Sequence, residues 1–148
     1  MTRSISLLVL DLETTGLHEG AQIIEVAWTR ALLQHNKLSY HLVHSFVVKP
    51  SDLPNWEHKA FAMHTENKLT RALPEGYSLA EVQTKILEDL HPWAELYKKR
   101  PMLCGFSPHV DLAWLKRYMP SIPNMLQHRV FDLSTLIAHA KLFDPDRS

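Results

Sequence analysis

Two acids separated by one residue, Asp11 and Glu13, close a short apolar run, and a third, Asp111, stands at the start of a later helical pattern. On an extended chain, residues two apart leave the same face, so Asp11 and Glu13 can both reach one spot. Phosphodiester hydrolysis needs a water turned into hydroxide and the leaving oxygen's charge neutralised, and two divalent cations about 3.5–4 Å apart do both. Carboxylate oxygens are hard ligands that suit Mg²⁺ or Mn²⁺. Acids beside Thr and Gly also serve to end a strand and open a turn, and Asp111 taken alone reads as a first-turn acid complementing a helix dipole. The setting shifts the balance, because acids placed behind a buried run are costly unless a cation compensates them.

The elements that must position these acids are legible as patterns. Residues 5–10 form the apolar run of a central strand buried on both faces. Residues 23–33 and 38–48 alternate on either side of Gln34-His35-Asn36-Lys37 and predict a hairpin, with Leu38, Tyr40, Leu42, Phe46 and Val48 on one apolar face and His41 and Ser45 pointing away. Short helical stretches are expected at 56–63 and 66–73. Ser78-Leu79-Ala80-Glu81 is a capping box, and Leu79, Val82, Ile86 and Leu90 continue at helical spacing until Pro92, which should kink or break the helix before residues 93–98. Residues 101–106 read as a short buried strand. Ser107 is placed to cap a helix that starts at Pro108, with Val110, Trp114, Leu115 and Tyr118 on its apolar side until Pro120. A strand at 129–131 and a helix at 134–142 finish the chain. This order predicts a single α/β domain over residues 1–148, a mixed sheet of about five strands, hairpin plus parallel strands, flanked by helices, and the placing of the acids on it resembles the ribonuclease-H-like layout.

Composition narrows the chemistry. Sixteen basic and sixteen acidic residues cancel, so no overall field gathers a long polyanion, which favours a short substrate. The single cysteine, Cys104, excludes an internal disulfide and reads as a small buried residue rather than a nucleophile. Ten histidines include no His-Glu-x-x-His arrangement and no finger-type pairing with cysteine, so zinc is not expected. No run approaches the roughly 18 apolar residues of a membrane span, and the N-terminus carries no cleavage-type signal, which predicts a cytoplasmic protein without membrane contact.

The segment Asp11-Leu12-Glu13-Thr14-Thr15-Gly16-Leu17 resembles the first motif of the DEDDh 3′–5′ exonucleases. Leu103-Cys104-Gly105-Phe106-Ser107-Pro108-His109-Val110-Asp111, followed by Arg117-Tyr118-Met119-Pro120, resembles the second motif in its oligoribonuclease version, and Arg129-Val130-Phe131-Asp132-Leu133-Ser134-Thr135-Leu136 is similar to the same subfamily. The resemblance implies that Asp11, Glu13 and Asp111 bind two divalent cations, Mg²⁺ or Mn²⁺. It further implies that Leu17 and Trp56 wedge substrate bases, that His64 contacts substrate, and that Ser107, Arg129 and Ser134 hold the terminal phosphate of a very short RNA. Arginine suits that task through its planar fork of donors. Each of these residues also has an ordinary reading: Trp56 as core, Ser107 and Ser134 as helix caps, Arg129 as a surface charge, His64 as structural. A homodimer is implied by the resemblance alone.

Two departures qualify the likeness. His128 stands where oligoribonucleases place a tyrosine before the arginine. The family's third motif, a histidine base with an aspartate beyond it, should follow the helix that begins near Ser134, and the 148 residues are expected to lack it. His139 and Asp144 mimic its spacing, but His139 falls inside the apolar helical pattern of Leu136, Ile137 and Ala140. The leading expectation is a metal-dependent exonuclease releasing 5′-mononucleotides from short single-stranded RNA ends. A proofreading or trimming DNA exonuclease and a catalytically weak nucleotide- or partner-binding module of the same fold are the alternatives.

Overall fold

The computed structural model describes residues 4–16, 20–35, 37–49 and 76–143. Strand β1 (Ser4–Thr14) lies at the centre, antiparallel to β2 (Ile23–Gln34) on one side and parallel to β5 (Met102–Gly105) on the other. Beyond β5 runs β6 (Val130–Asp132), again parallel, and β2 also carries β3 (Lys37–Tyr40) and β4 (His44–Val47). The sheet therefore has six strands rather than about five. Helices α1 (Leu79–Tyr97), α2 (Pro108–Tyr118) and α3 (Leu133–Phe143) flank it. No helix among the described residues is long and apolar enough to cross a membrane.

Within the apolar run of β1, Leu7 to Leu10 are covered on both faces because each face meets a different cluster, whereas Ile5 at its start is 37% exposed. Leu8 and Leu10 join Val26, Trp28 and Leu103 beneath Val82, Ile86 and Leu90 of α1 and Leu115 and Met119 of α2. Leu7 meets Ala31 and Cys104 on the opposite face, with Val9, Phe131 and Leu133 partly covered around them. Each fully buried aliphatic side chain contributes about 1.5–3 kcal/mol, so the first cluster is the main source of stability. The second face is thinner: Leu136, Ile137 and Leu142 of α3 remain exposed.

The predicted second run of the hairpin is two strands. Tyr40 pairs with Ala31 and His44 with Trp28, a register offset by one residue. Thr29 bridges the irregularity by donating its hydroxyl to the carbonyls of His41 and Leu42 at 2.9 and 3.2 Å. A one-residue shift reverses the face of every later side chain. Phe46 and Val48 consequently reach the α1 side, whereas Leu38 and Tyr40 lie opposite Leu33 and Ala31 on the other face and are 59% and 71% exposed. The five residues expected on one apolar face are thus divided.

The capping box forms as predicted: the Glu81 N–H donates to Ser78 Oγ at 3.1 Å, and the Ser78 hydroxyl lies 3.2 Å from the Glu81 carboxylate. Pro92 does not end the helix, which continues to Tyr97. Proline removes one helical hydrogen bond, but Leu90 and Trp93 on either side of it are both buried in the main core and hold the helix on the sheet. Val110, expected on the apolar side of α2, is half exposed; Leu112 packs there instead, with Leu115 and Met119. The stretches predicted helical at 56–63 and 66–73 lie outside the described residues.

Candidate active site

Strand β1 outruns its parallel partner. Its pairing with β5 covers Leu7 to Val9, while its antiparallel pairing continues through Asp11, opposite Ala27, and Glu13, opposite Glu25, to a register shift at Thr14. The two acids therefore project from one face of β1 beyond the last paired residue of β5. After them the chain is locked by Thr15, fully buried, whose N–H donates to the Gln22 carbonyl and whose hydroxyl accepts the Gln22 N–H, both at 2.9 Å.

Asp111 arrives from the other side. β5 ends at Gly105, and α2 begins three residues later with Pro108 at its first position. Gly105 permits a close approach: a Cβ there would stand 2.9 Å from the Leu10 carbonyl oxygen and 3.6 Å from Asp111 Oδ2. Tyr118, at the far end of α2, donates its hydroxyl to the Ala21 carbonyl at 3.3 Å and fastens that helix to the segment following the first acids. Asp111 is 8% exposed and, among the described residues, no hydrogen-bond donor or cation is paired with its carboxylate. Its pKa is pushed up to about 7, first by burial and then by the negative charges of Asp11 and Glu13.

A buried carboxylate facing two more carboxylates is unfavourable unless cations neutralise it. The donor set, three hard oxygen groups, fits Mg²⁺ or Mn²⁺. Among the described residues no group of three His, Cys, Asp or Glu stands close enough together to hold a metal ion as the side chains lie. Asp11 and Glu13 are nonetheless near enough to raise the Asp111 pKa, and a loose set of acids suits Mg²⁺ held through a few carboxylates together with water and substrate phosphates.

Ser107 and Ser134 are brought together, and by a residue to which the sequence reading gave no role. Asp132, opposite Gly105 in the β5 to β6 register, accepts through Oδ1 the N–H of Ser107 at 3.4 Å, the N–H of Ser134 at 2.9 Å and the Ser134 hydroxyl at 2.5 Å. These bonds, the Ser134 hydroxyl foremost, hold its carboxyl below the usual range. Asp132 is thus the cap of α3, and Ser134, read as a possible cap, is the second residue of that helix. Ser107 occupies the position before α2 but makes no side-chain capping bond, because its backbone is left-handed at φ 60°. The sequence signal for Asp132 was an acid two residues before a serine at a helix start, and for Gly105 a glycine closing a buried strand.

Arg129 is exposed and precedes β6, three residues behind Asp132, which places its backbone roughly 10 Å down the strand from that carboxylate. His128 is exposed beside it and lines a cavity of about 730 Å³ with Arg100, Leu112 and Lys116. His139 lies on α3 beside a shallow cavity formed with Val130 and Phe131, as its helical pattern implied. Leu17, Trp56, His64 and Asp144 lie outside the described residues.

Residues 8–143 match the family model described as Exonuclease. An oligoribonuclease of Neisseria meningitidis is 33% identical over 138 residues, which cover 92% of this chain and 73% of that one. Among solved structures, exonuclease I of E. coli in complex with a dT13 oligonucleotide has a TM-score of 0.57 at 17% identity, covering 96% of this chain and 31% of that one. The nuclease domain of 3′hExo, a DEDDh family member bound to rAMP, has a TM-score of 0.51 at 13% identity, covering 93% of this chain and 70% of its own. The strand-borne acids, the α2 acid and the mixed sheet thus coincide with a match over most of the sequence, and the chain belongs to the exonuclease family that this family model describes, with oligoribonucleases among its relatives.

Proposed function

We propose that this chain is a single metal-dependent 3′–5′ exonuclease domain that releases 5′-mononucleotides from the 3′ ends of short oligoribonucleotides. The observation that carries this reading is the buried Asp111 carboxylate, without a donor among the described residues, set against Asp11 and Glu13. These three residues would hold two divalent cations, Mg²⁺ or Mn²⁺, which when bound lower the pKa of a water and neutralise charge on the leaving oxygen. Hydroxide adds to phosphorus, the bond from phosphorus to the 3′ oxygen of the shortened strand breaks, and that oxygen takes up a proton. Asp11 and Glu13, fixed by the β1 and β2 ladder, set the position of the scissile phosphate, and Asp111 supplies the third side of the site. Leu17, Trp56 and His64 are assigned to the substrate bases and backbone by the family likeness, and Ser107, Ser134 and the long side chain of Arg129 to the terminal phosphate. His139, on the outer helix, is not assigned the role of general base.

The oligoribonuclease relatives and the net charge of zero both favour short RNA over long polyanions. A cytoplasmic, reducing setting accords with a single buried thiol, Cys104, whose pKa is raised by burial and by Asp132 so that it stays protonated. The homodimer belongs to the same proposal on the strength of the family likeness. The test is a comparison of initial rates with Mn²⁺ on a 5′-labelled RNA dinucleotide and on a long single-stranded DNA. Faster turnover of the dinucleotide is expected; faster degradation of the DNA would replace the substrate class with a DNA-trimming one.

A further inference from the structure

We infer that Asp132 is the positioning residue of the terminal-phosphate subsite, tying the turn that carries Ser107 to the first turn of α3 that carries Ser134. The inference rests on the reading of those serines as phosphate contacts given above. Three donors converge on one oxygen of Asp132, and they come from two separate elements: Ser107 N, Ser134 N and Ser134 Oγ. Among the described residues the backbone ties the Ser107 turn only to its own helix, through the Val110 N–H donating to the Ser107 carbonyl at 3.0 Å. Since β5 ends at Gly105, it is Asp132 that ties this turn to the start of α3.

The anchor also explains the backbone of Ser107. Its left-handed conformation, φ 60° and ψ 55°, is costly for a residue with a Cβ. The bond from its N–H to Asp132 supports that conformation, which in turn keeps the serine hydroxyl out of the usual capping bond to α2 and on the exposed side. Ser134 differs, because its single hydroxyl proton points to Asp132. That proton can turn to a phosphate oxygen without releasing the backbone, since both N–H donors remain on the carboxylate. Those donors, together with the positive end of α3, screen the Asp132 charge from an incoming phosphate. Asp132 therefore acts through the serines and does not touch the phosphate itself. Its partner in the sheet, Gly105, is the same residue that Asp111 Oδ2 approaches, so the phosphate end and the acidic end of the site share one turn.

The test measures binding, so it does not depend on turnover. The full chain is titrated calorimetrically, with Ca²⁺ present, with a 5′-phosphorylated RNA dinucleotide and with its 5′-hydroxyl twin. Asp132→Ala is expected to weaken binding of the phosphorylated ligand about tenfold, the effect of losing charge-assisted hydrogen bonds, and to leave the hydroxyl ligand within about twofold. Asp132→Asn, whose amide oxygen can accept the same N–H groups, is expected to recover most of the preference. Asp132→Glu keeps the charge on a longer arm, is expected to lose the preference, and serves where the alanine variant does not fold. Equal weakening of both ligands would reduce Asp132 to a general structural role and overturn the inference, as would tighter phosphate binding, the mark of a repelling charge. An unchanged ratio in Asp132→Ala alongside a lowered one in Ser134→Ala would remove Asp132 alone. An unchanged ratio in both variants would remove the phosphate subsite and the inference with it.

Discussion

Replacing Asp11 by alanine is expected to lower Mn²⁺-dependent cleavage of a 5′-labelled dinucleotide by on the order of a thousandfold, since bound cations supply several kcal/mol of charge stabilisation and each 1.4 kcal/mol is a factor of about ten in rate. Asp11 is exposed and its side chain stands at the end of a strand whose pairing continues on both sides of it. The backbone ladder does not depend on its carboxylate. Loss of activity with an unchanged melting temperature is therefore the predicted signature, and it separates a ligand from a structural acid. Undiminished cleavage would remove Asp11 from the metal site.

Asp111→Asn, by contrast, should raise stability. The carboxyl of Asp111 ionises near 3.8 in an unfolded chain and at about 7 in the folded one. Between those values the folded protein keeps a proton that the unfolded chain has released, so its stability falls as pH rises through the window. Below it the penalty is absent, and above it the full cost applies, on the order of 4 kcal/mol. Asparagine fills the same volume without ionising. With EDTA present at pH 8 the variant is expected to melt about 10 °C above the parent, and at pH 4 the two should coincide. Mn²⁺ should raise the parent's melting temperature at pH 8 and do little for the variant. Equal melting temperatures at pH 8 in EDTA would mean that the buried carboxylate is already compensated within the protein.

The parts of this molecule that could be read from the sequence are those where a local pattern decides the outcome. A run as apolar as residues 7–10 can only be central, and the capping box at Ser78 marks the start of α1 because its bonds are made within four residues. Asp11, Glu13 and Asp111 were legible for a different reason: their spacing is chemical rather than structural, and it matched a known motif. What escaped the reading depends on partners distant in sequence. The one-residue shift between β3 and β4 divides the apolar residues of one parity between two faces, and only the pairing with β2 reveals it. Pro92 lies within an intact helix because the core grips the residues around it. Asp132 caps its own helix through Ser134, which its segment does suggest, but its reach to Ser107 and the room Gly105 makes for a carbonyl of another strand depend on residues far along the chain.

Whether the three acids form one cation site is tested most directly by calorimetric titration of the chain with Mn²⁺ at pH 8. Saturable binding of two ions per chain, lost in both Asp11→Ala and Asp111→Asn, is the predicted result. Binding that persists unchanged in either variant, or no binding by the parent chain, would contradict it.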